Sequence, residues 1–294
     1  MNIKKHTTKG IEAKRSRVAY TFVTHWIIGL VMFFIIPLIS SIWYSFNNVR
    51  IEPGKVTTEF AGLEYFRKIL TEDPNYVNDL RDSIGMIFYS LPIILALSLI
   101  FAVILNQKFH GRTIVRAIFF LPVVLSSSVV MSLMSSEQFI SMPIISGGVL
   151  DYRLMFENLN IPGQIIPMLT FLMTSMTSLI LSCGVQTILF LAGLQSIPAS
   201  LYEASKIEGA NKWEEFWTIT VPSLRHIISL VMIFTMIDLF TSMQNRVVNV
   251  AYGLMVGQNF GESSAMIWFY FIIVIAVIGT VYAIYNRFCV KRWE

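Results

Sequence analysis

Few of the 294 residues stand where they could do chemistry, and the most exacting of them is Asp238, a carboxylate inside an apolar run. An ionisable group in such a run is costly and ordinarily faces protein or water. It could accept hydrogen bonds from the hydroxyls of a polar solute; the alternative is a structural bond to another helix or to a partner chain. Thr235, Asp238, Ser242 and Asn245 follow one another at spacings of three, four and three. Thr174, Ser178, Ser182 and Gln186 recur every four residues in another apolar run. On helices each set forms a polar stripe, and the two could face a shared path. Ser and Thr in apolar helices also bond their own backbone or let helices pack closely. Trp268 and Tyr270 could present an aromatic face to a solute, or belong to an interfacial aromatic belt.

None of this is catalytic machinery. His25, His110 and His226 lack metal-ligand spacing, and Cys183 and Cys289 give neither a disulfide framework nor a metal site. The apolar runs hold no G-x-S-x-G, His-rich cluster or paired carboxylates. A G-x-x-x-x-G-K-[ST] phosphate loop is also absent. The expectation is a chain with no catalytic residues, no metal and no cofactor of its own.

Apolar helices must carry these polar groups. Only 14% of the residues are charged against 55% hydrophobic, and the mean hydropathy is +0.64; a soluble domain is about 25% charged. The composition is that of an integral membrane protein. Apolar runs at 20–46, 84–105, 114–134, 167–194, 227–245 and 265–288 are each long enough for a crossing of about 20 residues. The expected fold is therefore all-α, with six transmembrane helices and both termini on one side. With the termini inside, that side holds the tail Lys4, Lys5, Lys9, Lys14, Arg15 and Arg17, then Lys108, Arg112, Arg116, Lys206, Lys212, Arg225, Arg287, Lys291 and Arg292. The other side holds Arg50, Lys55, Arg67, Lys68, Arg81, Arg153 and Arg246. The excess of cations marks the side of the termini as cytoplasmic. The basic tail reads as a topology signal, with no aromatic alternation to suggest nucleic acid. The first run, too long for a signal peptide and without an A-x-A site, reads as a retained helix. The organisation follows: a basic tail 1–17, a first transmembrane helix 18–46, an extracellular loop 47–82 containing an amphipathic stretch at 60–70, and a five-helix core 83–294. Neither outer loop has a strand pattern that suggests a folded domain.

The inner loop 195–223, between the fourth and fifth helices, is the most informative segment. Ser200 with Glu203, and Asn211 with Glu214, each have the spacing of a capping box. Gly209 between them can take the left-handed conformation that ends a helix. Leu201, Ala204, Ile207, Ala210, Trp213 and Phe216 recur every three residues, a spacing that drifts around a straight helix. A break at Gly209 resolves them into two short amphipathic helices. Their apolar side must be buried against lipid, the chain's own bundle or a partner; Trp213, Phe216 and Trp217 suit a protein groove as well as a headgroup layer.

Glu203-Ala204-Ser205, Glu208-Gly209-Ala210, Phe216 and Pro222 resemble the EAA loop of ABC importer permeases, with Ser205 in place of the third Ala and Glu208 in place of Asp. Residues 36–46, the segment Phe60-Ala61-Gly62-Leu63-Glu64-Tyr65-Phe66, the stretch 116–122 and the run 260–271 resemble MalF/UgpA-type permeases of carbohydrate importers, with Tyr65 departing from the family's Asn. The resemblance implies a permease subunit of the prokaryotic cytoplasmic membrane that pairs with a second permease as a heterodimer. It implies cytoplasmic ATPase subunits that bind ATP and Mg, an extracellular solute-binding protein and a carbohydrate substrate. The inner loop would be the coupling helix, with Glu203 and Gly209 holding the docking geometry and Ala204, Ile207, Glu208, Ala210, Trp213, Phe216 and Pro222 completing it. An ion-coupled secondary transporter using Asp238 is the alternative function.

Overall fold

A computed structural model describes residues 20, 23–52, 55–72, 74–107, 155–156, 159, 162–243 and 245–290. The basic tail, His110, the stretch 116–122, the third apolar run 114–134 and most of the loop that follows it lie outside the described residues. Among the described residues, three helices are long and apolar enough to cross a membrane, or up to five if each bent helix pair counts as one span.

Helix α1 covers Val23–Ser45 and contains a π-helical turn at Val31–Ile35. The turn has a local cause. Pro37 has no N–H, and in a regular helix its ring strikes the carbonyl four residues back. One extra residue in the preceding turn relieves the conflict, and the Ile36 N–H reaches back to the Val31 carbonyl. No part of the most apolar stretch of α1 is buried.

Strands β1 (Asn47–Glu52) and β2 (Lys55–Phe60) form an antiparallel hairpin, Asn47 opposite Phe60 and Glu52 opposite Lys55. This corrects the all-helical expectation. The strands are short, but β-branched Val49, Ile51, Val56, Thr57 and Thr58 favour the extended backbone. The N–H groups of Ala61 and Gly62 both donate to the Phe46 carbonyl, turning the chain into α2 (Glu64–Thr71), whose Ile69 is buried. Helix α3 (Pro74–Asn106) begins well before the apolar run at 84–105, so the end of the expected extracellular loop is helical.

The fourth apolar run is two helices, α4 (Ile166–Ser182) and α5 (Gly184–Ser196), broken at Cys183. Helices α6 (Ala199–Ile207) and α7 (Lys212–Ser223) form the inner loop, followed by α8 (Arg225–Thr241). The fifth run stops short of its expected end: Ser242 is extended, and Asn245 caps a further helix, α9 (Arg246–Val256). Helix α10 (Phe260–Tyr285) runs into a π-helical turn at Asn286–Val290.

The chain divides into two compact units, one of Met1–Arg81 with Met243–Val274, the other of Asp82–Ser242 with Ile275–Glu294. The first unit is tied by polar side chains. Trp268 Nε1 donates to Ser41 Oγ at 3.1 Å, and Ser263 Oγ to the Ala251 carbonyl at 2.7 Å. Lys68 pairs with Glu262 at 3.0 Å, and Arg246 with Asp79 at 3.0 Å. The bond from Glu262 raises the Lys68 pKa above its ordinary value, against the opposing effect of burial. The second unit is built on an apolar core of Ala102, Leu105, Phe190, Leu191, Leu194, Leu224 and Val231.

Candidate coupling site

Helices α6 and α7 stand as two short rods joined at Gly209. Gly209 has φ +85°, a conformation disfavoured for residues with a Cβ. Around it the Gly209 N–H donates to the Lys206 carbonyl and the Ala210 N–H to the Ser205 carbonyl. These are the two bonds of a Schellman C-cap. Asn211 then opens α7: its Oδ1 accepts from the N–H groups of Trp213 and Glu214, both at 2.9 Å, while Glu214 Oε2 accepts from the Asn211 N–H at 2.8 Å. The second expected capping box is thus present. The first is not: α6 starts from Pro198, in an extended conformation and without a side-chain cap, so Ser200 lies inside the first turn. Pro198, with φ preset and no N–H to satisfy, ends the preceding segment two residues before Ser200 could cap.

Cross-links hold the two rods together. Tyr202 Oη and Thr220 Oγ1 share a hydrogen bond of 2.9 Å, and Ser205 Oγ donates to Glu215 Oε1 at 3.1 Å. Ser205 is buried, so its departure from Ala supplies a bond that Ala lacks. Sequence reading missed this bond; a hydroxyl where the pattern has a methyl was its one visible signal.

The outward side is apolar. Ile207 is 89% exposed and Trp213 70%, with Leu201 and Trp217 also exposed. Trp213 stacks on Phe216 with centroids 6.4 Å apart, and Trp217 meets both rings edge-on. Pro222 helps to set this arrangement as Pro37 does in α1: a π-helical turn at Phe216–Thr220 precedes it, and the Val221 N–H reaches back to the Phe216 carbonyl. Glu203, Ala204 and Glu208 are exposed, Ala210 half-buried. The loop thus carries an exposed apolar patch in which three aromatic rings touch one another.

The polar residues expected along a path are dispersed. Thr235 is fully buried and donates to the Val231 carbonyl, while Asp238 is exposed. Ser242 lies past the end of α8. Asn245 accepts from the Val247 N–H through Oδ1 and donates from Nδ2 to Tyr270 Oη at 2.9 Å. The four therefore form no single helix face, because α8 ends between the second and third. Trp268 and Tyr270 diverge too: two residues on a helix are about 200° apart, and Tyr270 is buried against Asn245 while Trp268 bonds Ser41. Ser182 is half-buried; the Ser178 side chain lies outside the described residues. Gln186 is 1% exposed, and neither its amide nitrogen nor its amide oxygen has a hydrogen-bond partner among the described residues.

No family model matches the chain. It is 30% identical over 230 residues to YesP of Bacillus subtilis (strain 168), a probable ABC transporter permease protein, covering 77% of this chain and 71% of that one. The chain belongs to the permease family of ABC transporters. This ABC permease is 28% identical over 262 residues to the trehalose/maltose transport system permease protein MalF of Thermococcus litoralis, covering 88% of the chain and 84% of MalF. It is 30% identical over 223 residues to the arabinooligosaccharide permease protein AraP of Bacillus subtilis, with 75% and 68% covered. A chain in the crystal structure of a bacterial ABC transporter that imports the acidic polysaccharide alginate shares its fold, with a TM-score of 0.67 at 16% identity over 94% of this chain and 98% of that one. The EAA motif and the paired loop helices of the permease fit this membership. The departure at Tyr65 gains a meaning as well. Helix α2 has no side-chain cap, and a Cβ at Gly261 would lie 2.7 Å from the Tyr65 ring, so Tyr65 is a packing residue of the first unit.

Proposed function

We propose that this ABC permease forms half of the translocation path of a carbohydrate importer in a prokaryotic cytoplasmic membrane. The single observation that carries the reading is the rigid inner loop: two capped helices, cross-linked at Tyr202–Thr220 and Ser205–Glu215, presenting Leu201, Ile207, Trp213 and Trp217 outward. Such a surface passes force to a partner without bending. The partner is an ATPase subunit that binds ATP and Mg, and Glu203, Ala204, Ile207, Glu208, Gly209, Ala210, Trp213, Phe216 and Pro222 form the docking element. A second permease completes the path as a heterodimer, and an extracellular solute-binding protein delivers the cargo. A related transporter has been crystallised with its periplasmic protein holding an alginate pentasaccharide. Six helices with both termini cytoplasmic, as the distribution of Lys and Arg predicts, put the loop on the ATPase side.

For the path, Gln186 carries the most weight: its buried amide has no partner among the described residues, which is costly and is relieved when a hydroxyl-rich solute or an altered helix packing supplies one. Asp238, with Ser178, Ser182, Thr235, Ser242 and Asn245 in supporting positions, is the proposed acceptor of substrate hydroxyls. Trp268 and Tyr270 serve the path only by holding α10. The relatives give no support to an ion-coupled transporter driven through Asp238.

Purification of the tagged chain from its native membrane in mild detergent, with mass spectrometry of what accompanies it, tests the reading. A Walker-motif ATPase together with a second EAA-loop permease is the expected result. A chain that comes out alone under several gentle conditions sinks it.

A further inference from the structure

The inner loop connects to the long helices through two bends. Helix α5 turns into α6 by 65°, and α7 into α8 by 68°. The bends touch. Gly193, one turn before the first, lies against Leu224, the residue at the second, and against Ile227 in the first turn of α8. A Cβ built on Gly193 would stand 2.9 Å from Leu224 Cδ2 and 3.0 Å from both Cγ atoms of Ile227. Not even one methyl fits without displacement.

Leu224 meets Gly193 with the end of its side chain, Ile227 with both of its Cγ atoms. Leu224 is fully buried; its N–H donates to the carbonyls of Thr220 and Val221, and its own carbonyl accepts from Ile228. Ile227 is β-branched, with little rotamer freedom in a helix. The contact sits at the edge of the apolar core formed by Phe190, Leu194, Leu224 and Val231. On the loop side the two arms are tied by Tyr202–Thr220 and Ser205–Glu215, and at the start of α8 the Tyr285 hydroxyl donates to the Arg225 carbonyl at 3.0 Å.

Two arms bonded to each other and packed without slack at their common bend turn as one body. We infer that Gly193 is a positioning residue for coupling: by admitting Leu224 and Ile227 to van der Waals contact it locks the two bends together, so that a displacement of the docking loop passes undiminished to α5 and α8. This rests on the reading of the loop as the ATPase-docking element. A larger residue at 193 would wedge α5 from α8 and put slack between the loop and the helices it drives.

Spin labels at Lys206 and Leu230, both exposed, report on the joint in the purified complex, with Cys289→Ser removing the exposed thiol. Buried Cys183 is shielded from labelling. The wild-type pair is expected to give one narrow distance distribution that keeps its width when Mg-ATP is added. Gly193→Val should broaden it about twofold while ATP turnover stays within about twofold of wild type, and Gly193→Val with Ile227→Ala should narrow it again. If Gly193→Val yields no folded protein, Gly193→Ala, with and without Ile227→Ala, gives the same comparison at smaller amplitude. An unbroadened distribution in the Gly193 variants, or a broadening that Ile227→Ala leaves unchanged, overturns the inference. Purification of the wild-type chain without any ATPase overturns the docking reading instead, and the width comparison still decides whether the joint is rigid.

Discussion

The unit containing the hairpin and the unit containing the inner loop are held by different chemistry. In the hairpin unit, residues distant in sequence are joined through polar atoms: Ser41 to Trp268, Lys68 to Glu262, Asp79 to Arg246, and Asn245 to Tyr270. In the loop unit the joint at Gly193, Leu224 and Ile227 is apolar and close-packed, the bonds Tyr202–Thr220 and Ser205–Glu215 link the two rods of the loop, and the Tyr285 hydroxyl adds a bond to the Arg225 carbonyl. Hydrogen bonds and ion pairs fix orientation at individual atoms and can be remade with water or another partner. Close packing resists displacement in every direction and has no substitute partner. The loop unit is thus suited to transmitting movement, the hairpin unit to holding a polar surface in register.

Breaking the loop at its turn gives the largest expected effect. Gly209→Pro demands φ near −65° where the chain has +85° and costs about 3 kcal/mol or more. The chain should still insert in the membrane, but ATP hydrolysis and solute uptake in the assembled transporter should come apart; full ligand-stimulated uptake would contradict the docking role. Next comes the buried amide of the hairpin unit. Asn245→Ala removes the cap of α9 and the hydrogen bond to the Tyr270 hydroxyl, a loss of about 2 kcal/mol. Thermal unfolding in detergent should show it, with hydrogen exchange accelerated at the start of α9 and unaltered in α6 and α7. Ser205→Ala, which restores the family residue, should cost about 1 kcal/mol through the lost bond to Glu215. Faster exchange of the amides around 205–215, reversed in no other segment, is its signature.

Salt sharpens the comparison with smaller effects. At about 1 M ionic strength the Debye length is roughly 3 Å, so the pairs Lys68–Glu262 and Arg246–Asp79 should weaken, and exchange should rise in α2 and α9 but not in the inner loop. Lys68→Met should cost no more than about 0.5 kcal/mol, as for an exposed pair. Because the Lys68 pKa is raised in the folded chain, its contribution is complete below the ordinary lysine value and is lost only as pH climbs through the raised one. Titration between pH 6 and about 8 should therefore leave this pair untouched.

Much of the loop was legible in the residues. Gly209 between two apolar stretches announces a left-handed turn, and Asn211 with Glu214 announces a cap that forms as expected. The same spacing at Ser200 and Glu203 misleads, because Pro198 starts the helix first. The hairpin escaped notice: six-residue strands alternate too briefly to stand out beside long helical runs. The polar stripe through Asp238 and Asn245 failed for a related reason, since periodicity holds only while the helix continues and α8 ends at Thr241.

By itself the sequence determined the apolar spans and the two-rod loop, because each is a preference acting between residues near one another in the chain. Only the tertiary structure decided that Gly193 receives Leu224 and Ile227, that Ser205 finds Glu215, that Tyr270 turns toward Asn245 and Trp268 toward Ser41, and that Gln186 is buried without a partner among the described residues. Those outcomes depend on the rotation and offset of whole helices, which many residues set together and none of these encodes alone.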